Sequence, residues 1–250
     1  MDTPFKYDEF GYSIDWDLLE KNIKKAKVFI LCNPHNPIGK IFSEEELKYI
    51  VNLCEKHNVY LLSDEIHADF DYNQEKYVPV SKITDYQKLI SLYSPGKTFN
   101  LAGLHSSIIV CKDSGLRELI QKGIYEDDIG EPGYFSIEPV IVAYTQGEKY
   151  IEELNEYLFE NRQFVRENLH KSLKLIENRA TYLLWIDISK VGSSEEFVKE
   201  LREQTGLVVA PGSIYGDDRF IRVNIATSFD LVVDAVNRLN NYVTNKLNKE

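Results

Sequence analysis

Between residues 27 and 63 an apolar run, a turn, an amphipathic pattern and a second apolar run follow one another, and few folds accept that order. "KVFILC" (27 to 32) reads as a buried strand, ended by "NPHNPIGK", whose two Asn-Pro pairs and Gly39 are strong turn signals. Ser43 with Glu46 then forms a capping-box pattern. Leu47, Ile50, Val51 and Cys54 recur at i, i+3, i+4 and i+7, the stripe of a helix that ends near His57-Asn58. "VYLLS" (59 to 63) is the second strand. Strand, helix, strand is a βαβ unit, which predicts parallel strands joined by a right-handed crossover. "KLISLYS" (88 to 94) and "SSIIVC" (106 to 111) extend the pattern as a third and a fourth strand.

The character changes after about residue 112. Helical patterns run through "SGLRELIQKGIY" and "SIEPVIVAYTQG", then through a long stretch expected to be helical over 148 to 176. "YLLWIDIS" (182 to 189) reads as a strand, "SSEEFVKELREQTG" as a helix stopped by Gly206, and "RFIRVNIATS" (219 to 228) as a strand before a last amphipathic helix. Strands and helices without a steady βαβ rhythm predict an α+β domain. The expected division is a large domain over 1 to 147 and a smaller one over 148 to 250, opened by the bridging helix.

With 29 basic and 40 acidic residues the net charge is −11. Nucleic acids and anionic lipids are bound by clustered Lys and Arg, so neither is an expected partner. No apolar run reaches the length of a membrane span, and the polar opening "MDTPFKYDEFGYS" lacks the pattern of a signal peptide. Cys32, Cys54 and Cys111 are odd in number and far apart, which predicts neither a disulfide framework nor a zinc site. Asp69 and Asp71 have no ligand spacing, so no metal is expected. These observations predict a cytoplasmic protein.

"LYSPGKTFNLAGL" (92 to 104) contains a Gly-Lys-Thr that fits two chemistries. A phosphate loop needs a glycine five residues before Gly96, where Ser91 stands inside a strand pattern, and Pro95 removes a backbone donor. That reading fails. The other presents Lys97 as a nucleophile. Asn33 and Asn36 follow the first strand, Asp64 the second, Ser94 and Lys97 the third, and ligands of open α/β sheets bind outside the carboxyl ends of the strands.

"CNPHNPIGK", "SDEIHADF" and "SPGKTFNLAGL", in this order, resemble the fold-type I pyridoxal-phosphate enzymes, the class I/II aminotransferase superfamily. They are most similar to its cystathionine β-lyase branch, which includes the MalY and PatB proteins. "PGSIYG" and "FIRVNIATS" carry the likeness to the end of the chain. The resemblance implies a three-layer α/β/α large domain with a mostly parallel sheet, and a smaller α+β domain. Lys97 would be the Schiff-base lysine, and Asp64 would pair with the pyridine nitrogen of pyridoxal 5'-phosphate. Asn36 and His67 would bond the ring's phenolic oxygen, Ser94 the phosphate, and Arg222, with Asn36, the substrate carboxylate. A desolvated lysine suits both attack on the cofactor aldehyde and proton transfer at Cα.

Gly96 stands where relatives often have serine, and His105 where many aminotransferases have arginine, so phosphate anchoring is expected to be weaker. His35, His57 and His170 read as turn or surface residues, Arg219 as a solvated neighbour, and Tyr93 and Tyr134 as packing. The resemblance also implies a missing N-terminal segment with three further strands, the phosphate-binding turn and a ring-stacking aromatic. The reaction it favours is β-elimination from cysteine S-conjugates such as cystathionine, in a homodimer. An aminotransferase using the same lysine and a non-catalytic remnant are the alternatives.

Overall fold

A computed structural model describes residues 1–9, 11–72, 77–129, 133–177 and 179–248. The chain divides into two compact units. One contains Met1–His35, Ile41–Asp71 and the chain on to Ile151; the other contains Asn36–Lys40, Tyr72 and the chain from Glu152.

The first unit opens with a hairpin, β1 (Lys6–Asp8) and β2 (Gly11–Ser13), then α1 (Trp16–Ile23). Asp15 caps α1 by accepting from the backbone N of Leu18 at 3.1 Å. Its sheet has the order β3 (Val28–Cys32), β4 (Tyr60–Asp64), β5 (Leu89–Tyr93), β6 (Ile108–Val110). The first three strands are parallel and β6 runs antiparallel to β5. The crossover helix α2 (Glu44–His57) has both halves of the capping box, and Asn58 ends it in the left-handed conformation. The hydroxyl of Tyr86 donates to the carbonyl of Val59 just beyond the helix, at 2.8 Å, and lies 3.2 Å from that of Cys54 in its last turn.

One face of this sheet is dry. Leu31, Leu61 and Leu89 pack with Leu47, Ile50 and Cys54 of α2, and each such aliphatic side chain contributes about 1.5–3 kcal/mol by leaving water. The other face carries Ile30, which is 67% exposed. After a short α3 (Val80–Ile83), α4 (Pro95–Thr98) follows β5 directly. Then come α5 (Ser114–Glu126) and α6 (Tyr134–Gln146), on which Tyr134 and Phe135 are exposed rather than packed.

The helix expected over 148 to 176 is α7 (Glu148–Asn168), eight residues shorter. Asn240 stops it: its amide donates to the carbonyl of Asn168 at 2.7 Å and accepts from the backbone N of His170 at 2.8 Å. Residues expected to be helical instead make a turn around His170 and β7 (Lys174–Leu175). The 147/148 division expected from sequence falls at the start of α7, whereas the compact units part after Ile151. The second sheet is antiparallel with the order β7, β8 (Leu183–Asp187), β10 (Phe220–Asn224), β9 (Ala210–Pro211). The strand expected over 219 to 228 ends at Asn224, whose side chain accepts from the backbone N of Ala226 at 2.8 Å and turns the chain. Helices α8 (Ser194–Thr205) and α9 (Phe229–Leu247) meet through Phe197 and Tyr242, ring centroids 5.0 Å apart. Among the described residues no helix is long and apolar enough to cross a membrane.

Candidate active site

The first unit gathers its chemistry past the ends of β3, β4 and β5. The backbone N of Asn33 donates to Asp64 O at 3.0 Å, and that of Glu65 to Leu92 O at 2.9 Å, so the three strands finish level. Asp64 is half-buried, and its Oδ1 accepts from the backbone N of Ile66 at 3.2 Å, fixing the turn after β4. Ser94 caps α4: its Oγ accepts from the backbone N of Gly96 at 3.1 Å and donates to the carbonyl of Ser106 at 2.9 Å. Lys97 follows one residue after Gly96.

A cavity of about 280 Å³ lies here, lined by Ser94, Gly96, Lys97, His105, Ser106 and Ser107, with Ile66 completing one wall. An amine, hydroxyls and an imidazole converge on it, a donor set suited to an anionic ligand. Ser106 and Ser107 were not singled out from sequence, because two serines before an apolar strand look like an ordinary loop. A side chain at position 96 would place Cβ 3.1 Å from Ala102 Cα and 3.1 Å from Ser94 Oγ, so the tight approach of the loop favours glycine.

Four candidate residues have surroundings that the sequence did not reveal. Lys97 is exposed, not desolvated, and no ion pair joins it to Asp64. The hydroxyl proton of Ser94 is committed to Ser106, so a phosphate at Ser94 would have to displace that bond. His67 is 2% exposed and packs near Phe70, with ring centroids 5.9 Å apart; it is not part of the cavity wall. Asn33 is likewise structural, its Oδ1 accepting from the backbone N of Phe42 at 3.3 Å.

Asn36 belongs to the second unit, where Arg222 donates through Nη1 to its Oδ1 at 3.2 Å. The guanidinium lies 4.7 Å from the centre of the Tyr215 ring. Arg222 sits within β10, directly opposite Trp185 of β8 and Ala210 of β9. It has no carboxylate partner among the described residues. Arg219, by contrast, is engaged by a two-point bond to Asp217 at 2.9 and 2.6 Å. A half-buried arginine with unused donors and a neighbouring amide N–H₂ is a ready carboxylate receptor.

The family model for aminotransferase class I and II matches residues 3–239. The chain is similar to the cystathionine β-lyase PatB of Bacillus subtilis, with 32% identity over 96% of this chain and 64% of the relative. Protein MalY of Escherichia coli is 28% identical over 86% of this chain and 57% of its own length. Cystalysin from Treponema denticola, whose crystal structure contains a pyridoxal 5'-phosphate cofactor, superposes with a TM-score of 0.94 at 25% identity, over 98% of this chain and 65% of that one. The chain thus spans less than two thirds of the length of these relatives. Since the family match extends over almost all of its residues, the chain belongs to the class I and II aminotransferase family.

Proposed function

We propose that the protein is a pyridoxal-phosphate-dependent C–S lyase of the cystathionine β-lyase type, acting on cysteine S-conjugates. The observation that carries this reading is the placement of Lys97 in a cavity rimmed by hydroxyls, one strand from Asp64. That donor set fits a phosphate-bearing aldehyde: Lys97 for covalent attachment, Ser106, Ser107 and His105 for the phosphate, Asp64 for a protonated ring nitrogen. When bound, the cofactor supplies an electron sink for charge developing at the substrate Cα. Lys97 would move the Cα proton, and Arg222 with Asn36 would hold the α-carboxylate. Loss of the thiol by β-elimination, followed by hydrolysis, yields pyruvate and ammonia. The domain division at 147/148, the homodimer and the cytoplasmic location belong to this same proposal.

Reduction with borohydride after addition of pyridoxal phosphate tests the lysine. The pyridoxyl group is expected on Lys97 and to disappear in Lys97→Ala; label spread over other lysines, unchanged in that variant, overturns the assignment. Pyruvate released from cystathionine without a keto-acid acceptor separates lyase from aminotransferase. The aminotransferase reading rests on the family match itself. Because Lys97 is exposed and the Ser94 hydroxyl is committed elsewhere, the 250-residue chain alone is expected to bind the cofactor weakly and turn over little.

A further inference from the structure

A buried acid that this reaction does not use lies just beneath the strand ends. Glu65 follows Asp64, so the alternation of the strand directs its side chain to the opposite face of the sheet, the face packed against α2. It is 1% exposed. Its Oε2 accepts from the hydroxyl of Tyr93 at 3.2 Å and from that of Tyr77. Ser63 and Ser91, opposite each other in β4 and β5, are fully buried beside it. Burial pushes the Glu65 carboxyl up, and the hydroxyls of Ser63, Ser91 and Tyr93 draw it part of the way back. Tyr93 is pushed up to about 12, by burial first and then by the charge of Glu65, which keeps it a neutral donor.

A carboxyl at such a depth is costly, and an apolar side chain of similar volume would often be as stable or more so. What the acid adds is direction. Tyr93 immediately precedes Ser94, the cap of the turn that presents Lys97, while Glu65 immediately follows Asp64. We propose that Glu65 is a positioning residue for the Lys97 site: through Tyr93 and Tyr77 its carboxyl fixes the turn bearing Ser94 and Lys97 relative to the end of β4 bearing Asp64. This rests on the cofactor reading above. The bond lies on the face away from the cavity, so Glu65 acts through its neighbours and not on the ligand.

The test uses the 250-residue chain with added pyridoxal phosphate, borohydride reduction, and peptide mass mapping of the share of pyridoxyl groups on Lys97. Glu65→Gln keeps an acceptor oxygen and is expected to hold that share within about twofold of the unaltered chain. Glu65→Leu keeps the volume without the acceptor, and Tyr93→Phe removes one donor. Tyr93→Phe is expected to lower the share about tenfold, the scale of one lost hydrogen bond to a charged group, and Glu65→Leu, which strands two donors, at least as much, while circular dichroism stays unchanged. A merely structural role predicts the reverse pattern, with labelling kept and melting altered. If Glu65→Leu fails to fold, Tyr93→Phe alone decides. Lys97 labelling that persists in these variants overturns the positioning role and leaves the cofactor reading standing. An unaltered chain that does not prefer Lys97 overturns both.

Discussion

The two four-stranded sheets among the described residues are stabilised in different ways. Strand β8 of the second unit is buried on both faces, with Leu184 at 0% and Trp185 at 1% exposure. Strand β3 of the first unit alternates, with Leu31 buried and Ile30 open. The candidate site residues follow the same contrast. Arg222 projects from inside a strand flanked by packed neighbours, so its direction is fixed by the core. Ser94 and Lys97 stand on a turn past a strand end, where the Ser94 hydroxyl donates to the carbonyl of Ser106 and the preceding Tyr93 donates to Glu65. A side chain placed by a core is lost only with the fold. One placed by a turn can be lost while the fold remains.

The largest effects are expected where both units are packed alike. Leu184→Ala in β8 and Leu61→Ala in β4 each remove a fully buried side chain and should cost about 2–5 kcal/mol. The two tryptophans make this measurable unit by unit, since Trp16 lies in the first and Trp185 in the second. Denaturation followed by fluorescence of single-tryptophan variants should shift only the transition of the altered unit. Equal shifts in both would show that the units unfold as one and would dissolve the comparison.

Helix starts separate the units at the next scale. Ser43 accepts from the backbone N of Glu46 at 3.2 Å, while the Glu46 carboxylate accepts from the backbone N of Ser43 at 2.9 Å. Ser43→Ala should therefore cost about 1 kcal/mol. Ser228, at the start of α9, makes no capping bond with its side chain, and Ser228→Ala should cost only a few tenths. Urea denaturation of the pair reads the difference; matching costs would mean that the capping box in α2 contributes nothing in solution.

Acidity should act on the units in opposite directions. Glu65 has a folded-state pKa above its ordinary 4.5, so the folded state binds the extra proton. Its contribution to stability falls as pH rises from about 4.5 through that raised value. Asp218, which accepts from the backbone N and hydroxyl of Ser194, has a pKa held below its ordinary 3.8, chiefly by the Ser194 hydroxyl. Its contribution is present above 3.8 and is lost as pH falls through the lowered value. Melting profiles against pH should lose the first slope in Glu65→Gln and the second in Asp218→Asn. Slopes of the same sign in both would contradict the assignment.

The βαβ core was legible because its signals are local: an apolar run, a capping box and a 3.6-residue stripe all act within one element. The end of α7 was not legible, since Asn240 supplies the stop from 72 residues further along the chain. For the site, strand ends and turn signals placed Asp64, Ser94 and Lys97 on one unit. They could not show that Ser94 spends its hydroxyl on Ser106, because that bond depends on how the loop after α4 folds back. Glu65 passed unnoticed beside Asp64, since one residue of register decides which face of the sheet a carboxylate meets.

The smallest expected effect is the one that most sharpens the comparison. Ile30 and Leu31 are adjacent in β3, with the same backbone pairing to β4, yet they face opposite sides of the sheet. Leu31→Ala should fall in the range of about 2–5 kcal/mol for buried aliphatic deletions. Ile30→Thr keeps the β-branch that suits a strand and removes apolar surface that water already reaches, so its cost should stay within about 0.5 kcal/mol. Cross-strand contact with Leu62, its register partner, sets the upper part of that range. Denaturant midpoints of the two variants, read through Trp16, give the difference directly. A cost above about 2 kcal/mol for Ile30→Thr would mean that this face is packed in solution, because only a cavity or an unpaired buried hydroxyl reaches that size. The contrast between a sheet packed on one side and a sheet packed on both would then fail at its most exposed residue.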